Sequence, residues 1–149
     1  MTLLVRLAIN ENACNSNNAT GTLLGLFRIG YEYAVTEASP VERLPALLQL
    51  LRSKIDTERQ LALKAMHVAL DTSGMGFRII GPEYQGLKAP ANLWKPQTYG
   101  EWWDAQRQYF QVLIDETHSW PENLRVEVCE ALLNAVEQQI CDGLVNCNT

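Results

Sequence analysis

The chain has 149 residues, the size of about one domain, and is 47% hydrophobic and 19% charged. That is enough apolar content for a core and too much for wholesale disorder. A net charge of -5 without a lysine- or arginine-rich run argues against a nucleic-acid backbone binder.

Residues 1–36 are expected to form the N-terminal helices. Thr2–Ile9 reads as a short apolar helix that must dock on the rest of the chain or on a partner. Asn10–Asn18 (NENACNSNN) is rich in asparagine, which favours turns and caps because its side chain competes for nearby backbone groups. It reads either as a helix-capping turn or as a polar binding loop. A second helix is expected from Asn17 or Ala19 to Ala34, with Leu23, Leu24, Phe27, Tyr31 and Ala34 on one side. Gly21, Gly25 and Gly30 weaken it by up to ~1 kcal/mol each; close helix contact is the packing reason for tolerating them.

Residues 39–72 carry the clearest signal, an αα-hairpin. Ser39-Pro40-Val41-Glu42 is a helix start, with Ser39 as N-cap, Pro40 at the first helical position and Glu42 three residues after the cap. Val41, Leu44, Leu47, Leu48 and Leu51 follow at helical spacing. After a break at Ser53–Asp56, with Asp56 expected to cap, Ala62, Leu63, Met66, Ala69 and Leu70 form the second inward face. Two short amphipathic helices cannot bury both faces alone, so they need neighbours.

Residues 73–98 form a glycine-, proline- and aromatic-rich insertion, with Phe77–Ile80 as a short extended piece. Long irregular segments of this kind inside a domain are often functional. Thr98–Glu101 is a capping box that opens a helix to about Thr117, with Tyr99, Trp102, Trp103, Gln106, Phe110, Leu113 and Ile114 inward. Ser119–Glu122 is a second capping box. The helix after it, to about Cys141, is expected to bury Val128, Cys129, Leu132, Leu133, Val136 and Ile140. Residues 98–142 thus make a second hairpin, and 143–149 a frayed tail.

Cys14, Cys129, Cys141 and Cys147 show no CxxC spacing, and His67 and His118 have no neighbouring ligands, so no metal site and no cofactor is expected. No apolar run approaches the ~20 residues of a membrane span. The start, MTLLVRLAINEN, lacks a secretory signal's organisation, which predicts a cytoplasmic location and free thiols. No GxSxG, HExxH or Cys-His-Asp arrangement is present, so no catalytic role is expected.

The two hairpins echo one another. A shift of 66 positions lays Arg59 on Arg125, Ala62 on Val128, Leu63 on Cys129, Met66 on Leu132, Ala69 on Ala135 and Leu70 on Val136. Each arginine should pair with a carboxylate or with helix-end carbonyls of a neighbouring hairpin. This pattern resembles HEAT-type helical repeats over Pro40–Asp71 and Tyr99–Cys141, although the insertion breaks their usual ~40–47-residue period. Asn15–Ala19, Glu42-Arg43-Leu44, Glu83–Gly86 and Trp94–Glu101 are similar to helical segments of large bacterial multidomain proteins, some with nucleoside-triphosphatase domains. The resemblance implies an all-α stack of antiparallel hairpins, an α-solenoid fragment of about five helices, excerpted from a longer architecture. Without a GxxxxGK[ST] loop it implies no nucleotide hydrolysis.

The expected function is a non-catalytic interaction or scaffold module that takes a protein partner or a second copy of itself, since an open stack exposes its ends. The alternative is a small-molecule sensor, with a pocket between the insertion and the aromatic helix face. Its candidate ligand-binding residues are Arg78, Tyr84, Gln85, Trp94, Trp102 and Gln106; the amide of Gln106, amid aromatics, needs a partner from loop backbone or ligand. The bland reading of the same aromatics is a small core that glues the insertion down. A third possibility is an enzyme with a site assembled from Arg78, Glu83, Tyr84 and His67.

Overall fold

Ser39 begins the central hairpin as its sequence predicts. Its hydroxyl accepts the Glu42 N–H at 3.3 Å, and the Glu42 carboxylate accepts the Ser39 N–H at 2.8 Å. These bonds satisfy donors that a helix start leaves open. In this computed structural model the described residues are 2–12, 18–30, 35–71, 92–117, 119–120, 122, 125–126, 128–130, 133 and 136–137. Arg78, Tyr84, Gln85 and the extended piece expected at Phe77–Ile80 lie outside them.

Five helices are assigned among these residues: α1 (Thr2–Ile9), α2 (Ala19–Gly25), α3 (Pro40–Leu51), α4 (Asp56–Leu70) and α5 (Tyr99–Thr117). No strand occurs among the described residues, so the fold there is all-α. No helix among them is long and apolar enough to cross a membrane. α1 pairs with α2 and α3 with α4; α4 also touches α1, α2 and α5, and α5 touches α3 and α4 but neither α1 nor α2. The α3/α4 hairpin is therefore a middle layer. Its Leu47, Leu51, Ala62, Met66, Ala69 and Leu70 lie at the centre of the core, together with Leu23, Phe27, Ile29, Tyr109 and Leu113.

Several expectations need correction. α2 stops at Gly25, short of Ala34; Leu26, Phe27 and Arg28 take tighter bonds back to Leu23, Leu24 and Gly25. An added Cβ at Gly25 would meet nothing within 4 Å, so close packing does not require that glycine. Asp56 is the first residue of α4 rather than its cap. Ile55 stands at the cap position without a side-chain bond, and Asp56 engages Arg59. Val41, at the outer edge of its stripe, is 49% exposed, and Tyr99, the first residue of α5, is 56% exposed. Tyr109, absent from the expected inward face of α5, is wholly buried because α3 lies against it.

The asparagine-rich segment supplies caps at its described ends. Asn18 accepts the Gly21 N–H at 2.8 Å. Glu11 sits over the start of α2 and accepts from Ala19 N–H (2.5 Å), Thr20 N–H (2.9 Å) and the Thr20 hydroxyl (2.7 Å). Burial opposes ionisation of Glu11, but these three hydrogen bonds outweigh it and hold the carboxyl below its ordinary pKa.

Candidate functional site

The buried backbone after α2 organises one side of the molecule. Phe27 and Ile29 are buried, yet their segment is not helical, so its carbonyls need donors from elsewhere. Arg43 on α3, 9% exposed, donates to the Leu26 carbonyl, to the Arg28 carbonyl (3.3 Å) and to the Ser39 carbonyl (3.4 Å). Burial pulls its pKa below the usual guanidinium value, and interaction with Tyr109 works the other way. From α5, Trp102 Nε1 donates to the Ile29 carbonyl at 2.9 Å. Gln106 Nε2 donates to the Ala69 carbonyl at 3.0 Å and to the Ile29 carbonyl at 3.5 Å. The Ala69 carbonyl lies in the last turn of α4, where the helix offers no N–H of its own.

The amide of Gln106 thus has backbone partners from two elements on its donor side. Its Oε1 is buried without a hydrogen bond. Trp102 and Gln106 are both core residues, whereas Trp94 is half-buried and anchored by its backbone N–H to the Thr36 carbonyl at 2.9 Å. A narrow crevice lined by Arg28, Gly30, Val35, Thr36, Arg43 and Trp94 lies beside it and has no room for a water-sized group. Of the six candidate binding residues, then, Trp102 and Gln106 come together through Ile29. Trp94 lies on the neighbouring crevice, and the other three fall outside the described residues.

A wider groove of about 380 Å³ opens where α3, α4 and α5 end or begin, lined by Leu51, Arg52, Ser53, Arg59, Glu116, Ser119 and Trp120. Leu51 and Trp120 are its buried apolar residues, and Arg52 bridges to Glu116 at 2.6 Å. The bond and charge of Glu116 raise the Arg52 pKa, but an arginine this exposed adds little stability. Arg59 lines the groove, donates to the Ser53 carbonyl at 3.0 Å and pairs with Asp56; its buried Nε has no partner. Arg125 donates to the Trp120 carbonyl at 2.9 Å. Arg59 thus meets a carboxylate, one of its two expected partners, on its own helix, and both arginines reach back to a carbonyl of the turn before their own helical segment rather than across to a neighbouring hairpin. The reach is short because each sits within one or two turns of the break. The sequence reading missed this groove, for which Ser53 in the hairpin break and Trp120 after α5 were the available signals.

Helical backbone is described at Glu122, Arg125, Val126, Val128–Glu130, Leu133, Val136 and Glu137. Here the expected burial holds for Val128 but not for Cys129, Leu133 or Val136, and Leu132 and Ile140 lie outside the described residues. Val128 is buried, but Cys129 is a free, exposed thiol, and Leu133 (63%) and Val136 (36%) face solvent with Val126 (59%). The Ser119 hydroxyl donates back to the Glu116 carbonyl at 2.7 Å. On α1, Leu3 (72%) and Leu7 (52%) are likewise exposed, one turn apart.

Among the described residues, no group of three or more His, Cys, Asp or Glu side chains is placed to hold a metal ion. Compared with known proteins, the chain matches no family model, no curated protein and no solved structure.

Proposed function

We propose that the chain is a non-catalytic helical module for protein interaction, a scaffold piece of the HEAT-like kind. The observation that carries this reading is the pair of apolar helical faces left in water, Leu3 and Leu7 on α1 and Val126, Leu133 and Val136 towards the C-terminus. Apolar side chains recurring at helical spacing on an exposed face mark association surfaces more often than ordinary surface. The layering agrees with a stack, since α5 meets the middle hairpin alone among the described helices.

The test is the native size of the tagged chain in lysate of its own source, followed by gel filtration. An assembly larger than one chain is expected, and it should shrink when Leu3→Lys/Leu7→Lys or Leu133→Lys/Val136→Lys is introduced. A single-chain size, or an assembly indifferent to both double variants, overturns the proposal. A second reading, small-molecule binding, is favoured by the groove at Arg59. A metabolite whose stabilisation of the fold disappears in Arg59→Met would support it over the first.

A further inference from the structure

The exposed C-terminal face has a definite pattern. Val126, Cys129, Leu133 and Val136 recur at spacings of three, four and three, which is the a-d-a-d seam of a heptad repeat. All four are exposed, and each belongs to helical backbone. In this register Arg125 holds the g position before the first a residue, and Glu130 and Glu137 hold e positions. All three are exposed as well. In a parallel pair of helices, a g residue faces the partner's e residue five positions on. Arg125 and Glu130 stand five apart and carry opposite charge. In an antiparallel pair, e residues face one another, which would set Glu130 and Glu137 against glutamates of the partner.

We infer that this face pairs with the same face of a second copy of the chain, in parallel, with Cys129 of the two copies adjacent at the centre of the seam. The inference rests on the interaction reading above and adds to it the partner and the direction of approach. The apolar row Val126–Val136 is about three helical turns in reach, some 15 Å, so the pair is a weak, reversible dimer whose population rises with concentration. The reciprocal Arg125–Glu130 contacts lie on the rim and set direction more than strength.

The test uses the full chain in reducing buffer and sedimentation over a range of concentrations. A monomer–dimer equilibrium is expected, and Leu133→Lys/Val136→Lys should abolish it while leaving the helicity of the dilute chain unchanged, because both side chains lie on the exposed face. Arg125→Glu and Glu130→Arg should each weaken the dimer several-fold, and the double swap Arg125→Glu/Glu130→Arg should restore it. Diamide, which takes up the two protons and two electrons released when two thiols join, should link Cys129 to Cys129 between copies, as read by peptide mass mapping. A monomer at every concentration overturns the self-pairing, and leaves the interaction module to its own test in lysate. A dimer that ignores Leu133→Lys/Val136→Lys, or one without the Cys129 link and without charge-swap rescue, overturns the parallel seam.

Discussion

Replacing Tyr109 with phenylalanine removes one oxygen from the centre of the molecule and little else. The hydroxyl is fully buried and donates to the Pro40 carbonyl at 2.7 Å. That carbonyl belongs to the first residue of α3, so the helical ladder still supplies it with an N–H after the substitution. The cost at neutral pH is therefore one net hydrogen bond, about 1 kcal/mol. At high pH the balance changes. Burial pushes the Tyr109 pKa up to about 12, with the Arg43 charge opposing, against ~10 in the unfolded chain. A group whose folded pKa is raised contributes stability below its unfolded pKa and loses it as pH rises through the folded one. Two pH units correspond to about 3 kcal/mol, lost progressively above pH ~10. The phenylalanine variant lacks that loss. Other titrating groups are common to both proteins and cancel in the difference, so the two stability curves should cross near pH ~11. Urea unfolding followed by circular dichroism from about pH 8 to about pH 11.5 measures the difference directly. A gap that stays constant across that range would refute the argument that this phenol is held neutral by burial.

Glu11→Gln should flatten the acid limb of the melting curve. The native carboxyl has a lowered pKa, so its stabilising effect is present above the unfolded value and lost as pH falls through the folded one. Thermal melts between neutral and acidic pH check this, and equal slopes for both proteins would count against it. Gln106→Leu removes the only donor described for the Ala69 carbonyl but also relieves the unpartnered Oε1. The two effects, each about 1–3 kcal/mol, should nearly cancel, whereas Gln106→Ala also opens a cavity and should cost more. Denaturant midpoints order the three proteins. Gly25→Ala should stabilise by about 0.4–1 kcal/mol, since a Cβ there meets open space and the backbone is not left-handed; a lowered melting temperature would show that α2 needs its glycine after all.

The legible parts of this fold were those decided within one turn of helix. Ser39 and Glu42 lie three residues apart and announce a helix start whatever surrounds them. The inward face of α4 was readable for a related reason. Ala62, Leu63, Met66, Ala69 and Leu70 are apolar on the side that neighbours cover, and all five are buried. The insertion at 73–98 held four of the six candidate ligand-binding residues, and its long irregular composition offers no periodicity from which a geometry can be derived.

The tertiary structure decided which polar groups the core absorbs and which apolar groups it leaves out. Gln106 meets the carbonyl of Ile29, 77 positions away, and Tyr109 meets that of Pro40, 69 positions away. No local pattern encodes partners at such distances, because a buried carbonyl specifies only that some donor must arrive. Nor did the C-terminal apolar residues reveal their exposure. Val128 turns inward while Val126, Cys129, Leu133 and Val136 face water. Periodicity determines that a helix has an apolar face, but whether that face is covered depends on what packs beside it.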